Sequence, residues 1–115
     1  MSQNQDLFII RTVSLIAVYQ IDQLLILLSA EKAREMRFRA GHAPIVVSEE
    51  EQRPLLGPAL MAEDVMRLLR SLATSRQIRD LRTNGSVQFI YTAPGRFPFL
   101  VRAKLEDDRV TFIVS

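Results

Sequence analysis

The chain has no cysteine, which removes a disulfide framework, a thiolate metal site and a cysteine nucleophile together. That fits a reducing compartment, and a cytoplasmic location is expected. His42 is the sole histidine, so neither a histidine-based catalytic triad nor a histidine-rich metal site can be assembled. Lying in a turn, it reads as a solvated residue. Glycine is scarce too. The four glycines, at 41, 57, 85 and 95, cannot build a loop whose backbone amides cradle phosphate, and no G-x-x-x-x-G-K-[ST] run occurs. Nucleotide hydrolysis by this chain alone is not expected, and neither a cofactor nor a metal is expected.

Charge of one sign is also missing: 15 basic and 13 acidic residues leave a formal net charge of +2. A nucleic-acid footprint usually concentrates basic residues on one face, and a near balance argues against one. The acidic runs do not form a cation loop either. Glu49, Glu50 and Glu51 are adjacent, whereas calcium loops space their ligands around a glycine. They read as the solvated end of a hairpin, and Asp107 and Asp108 read likewise.

No uninterrupted membrane span is present. Residues 7 to 28, "LFIIRTVSLIAVYQIDQLLILL", are long enough to cross a bilayer, but Arg11, Gln20, Asp22 and Gln23 interrupt them. An arginine or aspartate well inside a span costs roughly 2.5–3.5 kcal/mol. A signal peptide is disfavoured as well, because Asp6 stands where positive charge belongs. This stretch reads as core.

What remains is a chain of 115 residues, 48% of them hydrophobic, enough for one domain with one core. "LFIIRTV" (7–13) predicts a strand and "QIDQLLILLSAEKA" (20–33) a helix, with Ile21, Leu24, Leu25 and Leu28 at helical spacing. In "EMRFR", Met36 and Phe38 alternate with Arg37 and Arg39, as in a half-buried strand. A turn through Gly41 and Pro44 leads to a second strand, "IVV", and "QRPL" leads out. "MAEDVMRLLRSL" spaces Val65, Leu68, Leu69 and Leu72 along one helix face, with Glu63 and Asp64 in the first turn to complement the dipole. "SRQIRDLRTN" predicts a further helix that stops at Gly85, suited to a left-handed cap.

"SVQFIYT", "FLVRAKL" and "RVTFIV" then alternate as three strands, with Pro98 confined to a strand start or an edge. In "FLVRAKL", Arg102 and Lys104 fall on the face away from the core residues. The order is strand, helix, two strands, two helices, three strands. It predicts an α+β domain, with a mainly antiparallel sheet of five to six strands and three helices packed on it. Residues 1–19 form an apolar N-terminal strand or extension, and 20–115 the domain proper.

This order, with the stretch "AREMRFRAGHAP" (33–44), resembles the N-terminal, PAS-like domain of PilT-type twitching-motility and type II–IV secretion ATPases. The family's motif has the form A-S-D-L-H-L-x-x-G-x-x-P. Ala33, Gly41 and Pro44 match it, Glu35 stands for its acid, and Met36 and Phe38 keep its apolar positions. Pro54 and Leu55 match its exit. "PALMAEDV" resembles its P-L-T-P-E-D-V helix start. "GSVQFIYTAPG" resembles G-E-x-D-F-S-Y-x-x-P-G, with Gly85, Phe89, Tyr91, Pro94 and Gly95 kept.

The departures from the family lie at functional positions. Its histidine is replaced by Arg37, an arginine after the Pro by Val47, and a D-G turn by Glu49-Glu50. The two arginines of its R-F-R-V-N run fall on Pro98 and Leu100, or with a slip on Arg96 and Arg102. In the family, arginines of this region are expected near nucleotide at subunit boundaries. The resemblance therefore implies a non-enzymatic protein-interaction or regulatory domain, released from that role and attached to a type IV pilus or secretion system.

Of the 15 basic residues only Lys32 and Lys104 are not arginine, and arginine's planar fork suits bidentate contact with carboxylates. Arg37, Arg39, Arg67, Arg70, Arg76, Arg79 and Arg82 are the candidate protein-interaction residues. Their plainer reading is a solvated surface. Residues 7–19 could form a homodimer strand or simply an extra strand of the sheet. Two alternatives stand beside the interaction domain: a PAS-like small-ligand sensor, and a trimmed N-terminal fragment of a larger secretion-type ATPase.

Overall fold

The computed structural model describes residues 19–93 and 98–115. The strand expected at 7–13, all of the 1–19 extension but Tyr19, and the turn at 94–96 lie outside these. The elements are α1 (Ile21–Ala30), β1 (Glu35–Phe38), β2 (Ile45–Val47), β3 (Gln52–Pro54), α2 (Ala62–Arg70), α3 (Ser75–Asn84), β4 (Ser86–Thr92), β5 (Pro98–Glu106) and β6 (Arg109–Val114). The strands form one antiparallel sheet in the order β3-β2-β1-β6-β5-β4. The α+β reading is right. The described residues hold three helices and six strands, one strand of which the sequence pattern did not show: "QRP", read as an exit, is the short edge strand β3.

Each helix ends for a local reason. At the C-terminus of α1, the Lys32 N–H donates to the Ser29 carbonyl and the Ala33 N–H to that of Leu28, both at 3.2 Å. This pair of bonds wraps the last turn and satisfies carbonyls the helix leaves open. Lys32 takes φ 53° to make it. At the start of α2, the Met61 N–H donates to Asp64 Oδ2 at 2.9 Å. At α3, Gln77 N–H donates to Thr74 Oγ1 (3.2 Å) and Thr74 N–H to Gln77 Oε1 (2.9 Å), a reciprocal capping box. Gly85 closes that helix at φ 82°, its N–H on the Leu81 carbonyl.

All three helices contribute buried side chains to one core with one face of the sheet. Leu24, Leu25 and Leu28 of α1, Val65, Leu68 and Leu69 of α2, and Ile78 and Leu81 of α3 meet Met36, Phe38, Val101, Phe112 and Val114. Phe38 and Phe112, opposite one another on β1 and β6, stack with centroids 4.4 Å apart and planes 10° from parallel. The Tyr19 ring is buried in the same core, its hydroxyl donating to the Pro58 carbonyl at 2.7 Å.

Strand alternation sends the intervening residues to the opposite face. Across β1, β6, β5 and β4, the registers align Arg37, Ile113, Arg102 and Gln88 in one row. Lys104 pairs with both Thr111 and Ser86 in the next. The sheet thus carries its helices on one side and a mixed basic and apolar surface on the other.

Candidate functional site

The fold divides the seven candidate arginines between two faces. Arg67, Arg70, Arg76, Arg79 and Arg82 are exposed on the outer sides of α2 and α3, because Val65, Leu68, Leu69, Ile78 and Leu81 turn the other sides into the core. Arg37 and Arg39 emerge on the opposite, helix-free face of the sheet, since Met36 and Phe38 point the other way.

On the helix layer, Arg67 is held in place. It pairs with Asp64 at 3.7 Å and donates to the Tyr19 carbonyl at 3.4 Å. Among the described residues, Arg70, Arg76, Arg79 and Arg82 make no ion pair. Free guanidiniums on a well-capped helix keep their fork available for a partner's carboxylate.

On the sheet face, Arg37, Arg39, Arg102, Lys104, Gln88 and Thr111 line an open hollow of about 770 Å³. Glu106 lines it as well, and half-buried Glu35 stands beside these arginines, hydrogen-bonded to Arg37 Nε and 3.9 Å from Arg102. This carboxylate offsets part of the charge. Arg39 Nη2 stands 3.0 Å from His42 Nε2, both exposed, so the single histidine sits in a surface contact.

Arg102 and Lys104 were not among the candidates, although the alternation of "FLVRAKL" already put them opposite the core. What the sequence does not contain is adjacency. Only the order β1-β6-β5 brings them beside Arg37 and Arg39.

Glu49 and Glu50 occupy a surface turn, closed by the Ser48 N–H on the Glu51 carbonyl at 2.9 Å. Among the described residues no group of three potential metal-binding side chains converges. Burial pushes the Tyr19 hydroxyl above its ordinary value. No helix of the described residues is long and apolar enough to cross a membrane.

The chain has the fold of part of the PilT-type ATPases, consistent with their N-terminal domain. The structure of the pilus retraction motor PilT with bound ADP superposes with a TM-score of 0.75 at 22% identity, over 84% of this chain. That of the Legionella pneumophila ATPase DotB gives 0.68 at 13% identity over 84%. The Yersinia pseudotuberculosis ATPase DotB gives 0.59 at 16% identity over 82%. In each case the chain spans 28% of the other protein's length. No protein-family model and no curated protein sequence matches the chain.

Proposed function

We infer that this is a non-enzymatic interaction domain, which docks through the exposed arginines of α2 and α3 onto an acidic surface of a protein belonging to a pilus or secretion system. The observation that carries this reading is the set of guanidiniums at 70, 76, 79 and 82, exposed and without a carboxylate partner among the described residues. The fold supplies the context. It is shared with a pilus retraction motor and with secretion-type ATPases over little more than a quarter of their length. The sequence has no phosphate-cradling glycine loop with which to hydrolyse nucleotide. Arginine charge on rigid, capped helices favours encounter with an oppositely charged surface and sets its orientation.

A ligand-sensor reading finds less support. Among the described residues no charged side chain is buried between sheet and helices, and the buried Tyr19 hydroxyl is already bonded to the Pro58 carbonyl, whereas small-molecule pockets place a few polar groups to orient their ligand. The test is co-purification from cells that carry pilus or secretion genes, comparing the wild-type chain with an Arg76→Glu/Arg79→Glu/Arg82→Glu variant. A pilus or secretion protein retained by the wild type and lost by the variant, with the variant's circular dichroism unchanged, supports the reading. Equal retention by both, or no such protein with either, refutes it.

A further inference from the structure

The two edges of the sheet are built differently. β3, at one end, is three residues long and carries Arg53 and Pro54, both of which discourage pairing with another chain. β4, at the other end, has seven residues, Ser86–Thr92, with no charge, no proline and no break in its register with β5. No described strand pairs with its outer side, and Ile90 is 61% exposed there.

The hydrogen bonds say which of its backbone groups are free. Leu100 and Ser115 exchange both of their bonds, so Leu100 points its backbone at β6, and the Leu105 N–H reaches the Gly85 carbonyl on the β4 side. Alternation then turns Val101 and Ala103 toward β4, where they meet Phe89 and Val87. The N–H and C=O groups of Ser86, Gln88, Ile90 and Thr92 therefore face outward.

We propose that a second copy of this chain adds antiparallel to β4, with the two-fold axis at Phe89. The register follows from the strand's own symmetry. About Phe89 the sequence reads hydroxyl, Val, Gln, Phe, Ile, Tyr, hydroxyl. Pairing two copies there sets Ser86 opposite Thr92, Val87 opposite Tyr91, Gln88 opposite Ile90 and Phe89 opposite Phe89. Hydroxyl, aromatic–β-branched and aromatic–aromatic pairs are the cross-strand partners that stabilise sheets. All four outward-facing residues fall in hydrogen-bonded positions. Phe89 falls in the non-hydrogen-bonded position, where side chains approach most closely.

Charge permits the same arrangement. The strand is neutral, and Gln88 lies between Arg102 and the new edge. With strands about 4.8 Å apart, the Arg102 residues of the two copies stand at least about 14 Å from one another, beyond the screening length of about 8–10 Å at ordinary salt. A seven-residue edge is smaller than a standard interface of about 1,600 Å², so the dimer depends on concentration.

Sedimentation of the full chain over a dilution series, together with amide hydrogen exchange, tests this. The wild type is expected to pass from monomer to dimer as concentration rises. The amides of Ser86, Gln88, Ile90 and Thr92 become protected over the same range, while those of Phe89 and Tyr91 stay protected throughout. In a Gln88→Lys/Ile90→Lys variant the introduced ammonium groups oppose each other across the axis, and dimerisation weakens more than about tenfold. Mixing that variant with Gln88→Glu/Ile90→Glu restores it.

A wild type that remains monomeric at every concentration overturns the proposal. So does a dimer indifferent to the lysines, or protection of the outward amides that is independent of concentration, which would mean that the chain's own residues cover the edge. None of these outcomes bears on the arginine surface of α2 and α3, which this edge does not include.

Discussion

At Gly57 the backbone takes φ +147°, and a β-carbon there would stand 2.4 Å from the Tyr19 hydroxyl oxygen. Both facts require glycine, the first because L side chains rarely adopt that region and the second because the neighbour is a buried ring. Gly57→Ala is expected to destabilise by about 1–3 kcal/mol, read as a lowered midpoint in urea. Tyr19 itself gives a signature in alkali. Its hydroxyl titrates above the ordinary value of 10.0 because it is buried, so the unfolded chain releases that proton first. This contribution to stability is intact below pH 10 and is lost as pH rises past it. Tyr19→Phe should flatten that part of the alkaline decline. At neutral pH it should cost about 1 kcal/mol for the lost bond to Pro58. Neither interaction is written in the sequence, because residues 19 and 57 meet only after α1 and the loop before α2 have both docked.

The ends of α3 were legible, whereas the helix expected to run to residue 33 stops at Ala30. Gly85 stops α3 as its sequence predicts, and Ser75–Asn84 has the expected limits. The capping box at Thr74 gives Thr74→Ala an expected cost of about 1 kcal/mol, measurable by thermal melting. Lys32 runs the other way. It sits at φ 53° in the position that ends α1, where glycine is usual. Lys32→Gly relieves a left-handed residue of its Cβ strain and should stabilise by about 1 kcal/mol, seen as a raised melting temperature.

Period-2 alternation identified β1, β4, β5 and β6 because each places apolar residues on the core side, and the apolar run "IVV" after the turn identified β2. β3 escaped notice for a physical reason: three residues are too few for a period, and proline argues against an interior strand. The arginine pattern of α2 and α3 was equally plain, since helical spacing alone separates Arg76, Arg79 and Arg82 from Ile78 and Leu81.

On the scale of the molecule, the sheet order turns local patterns into surfaces. Sequence alternation shows that Arg37 and Arg102 both avoid the core. Only antiparallel pairing of β1 with β6 and β6 with β5 gathers them into one hollow, with Glu35 in reach of both. The helix layer carries a second, separate basic face. A domain that shares its fold with part of a retraction motor therefore presents two cationic surfaces and one long sheet edge with no described strand beside it.

The most direct measurement is the affinity of the purified chain for the pilus or secretion protein that the proposed co-purification is expected to retain, followed against salt and charge reversal. The account predicts tight binding at low salt that weakens steeply as salt rises. It predicts a loss of more than about tenfold in the Arg76→Glu/Arg79→Glu/Arg82→Glu variant. An affinity unchanged by both salt and the three reversals would contradict it.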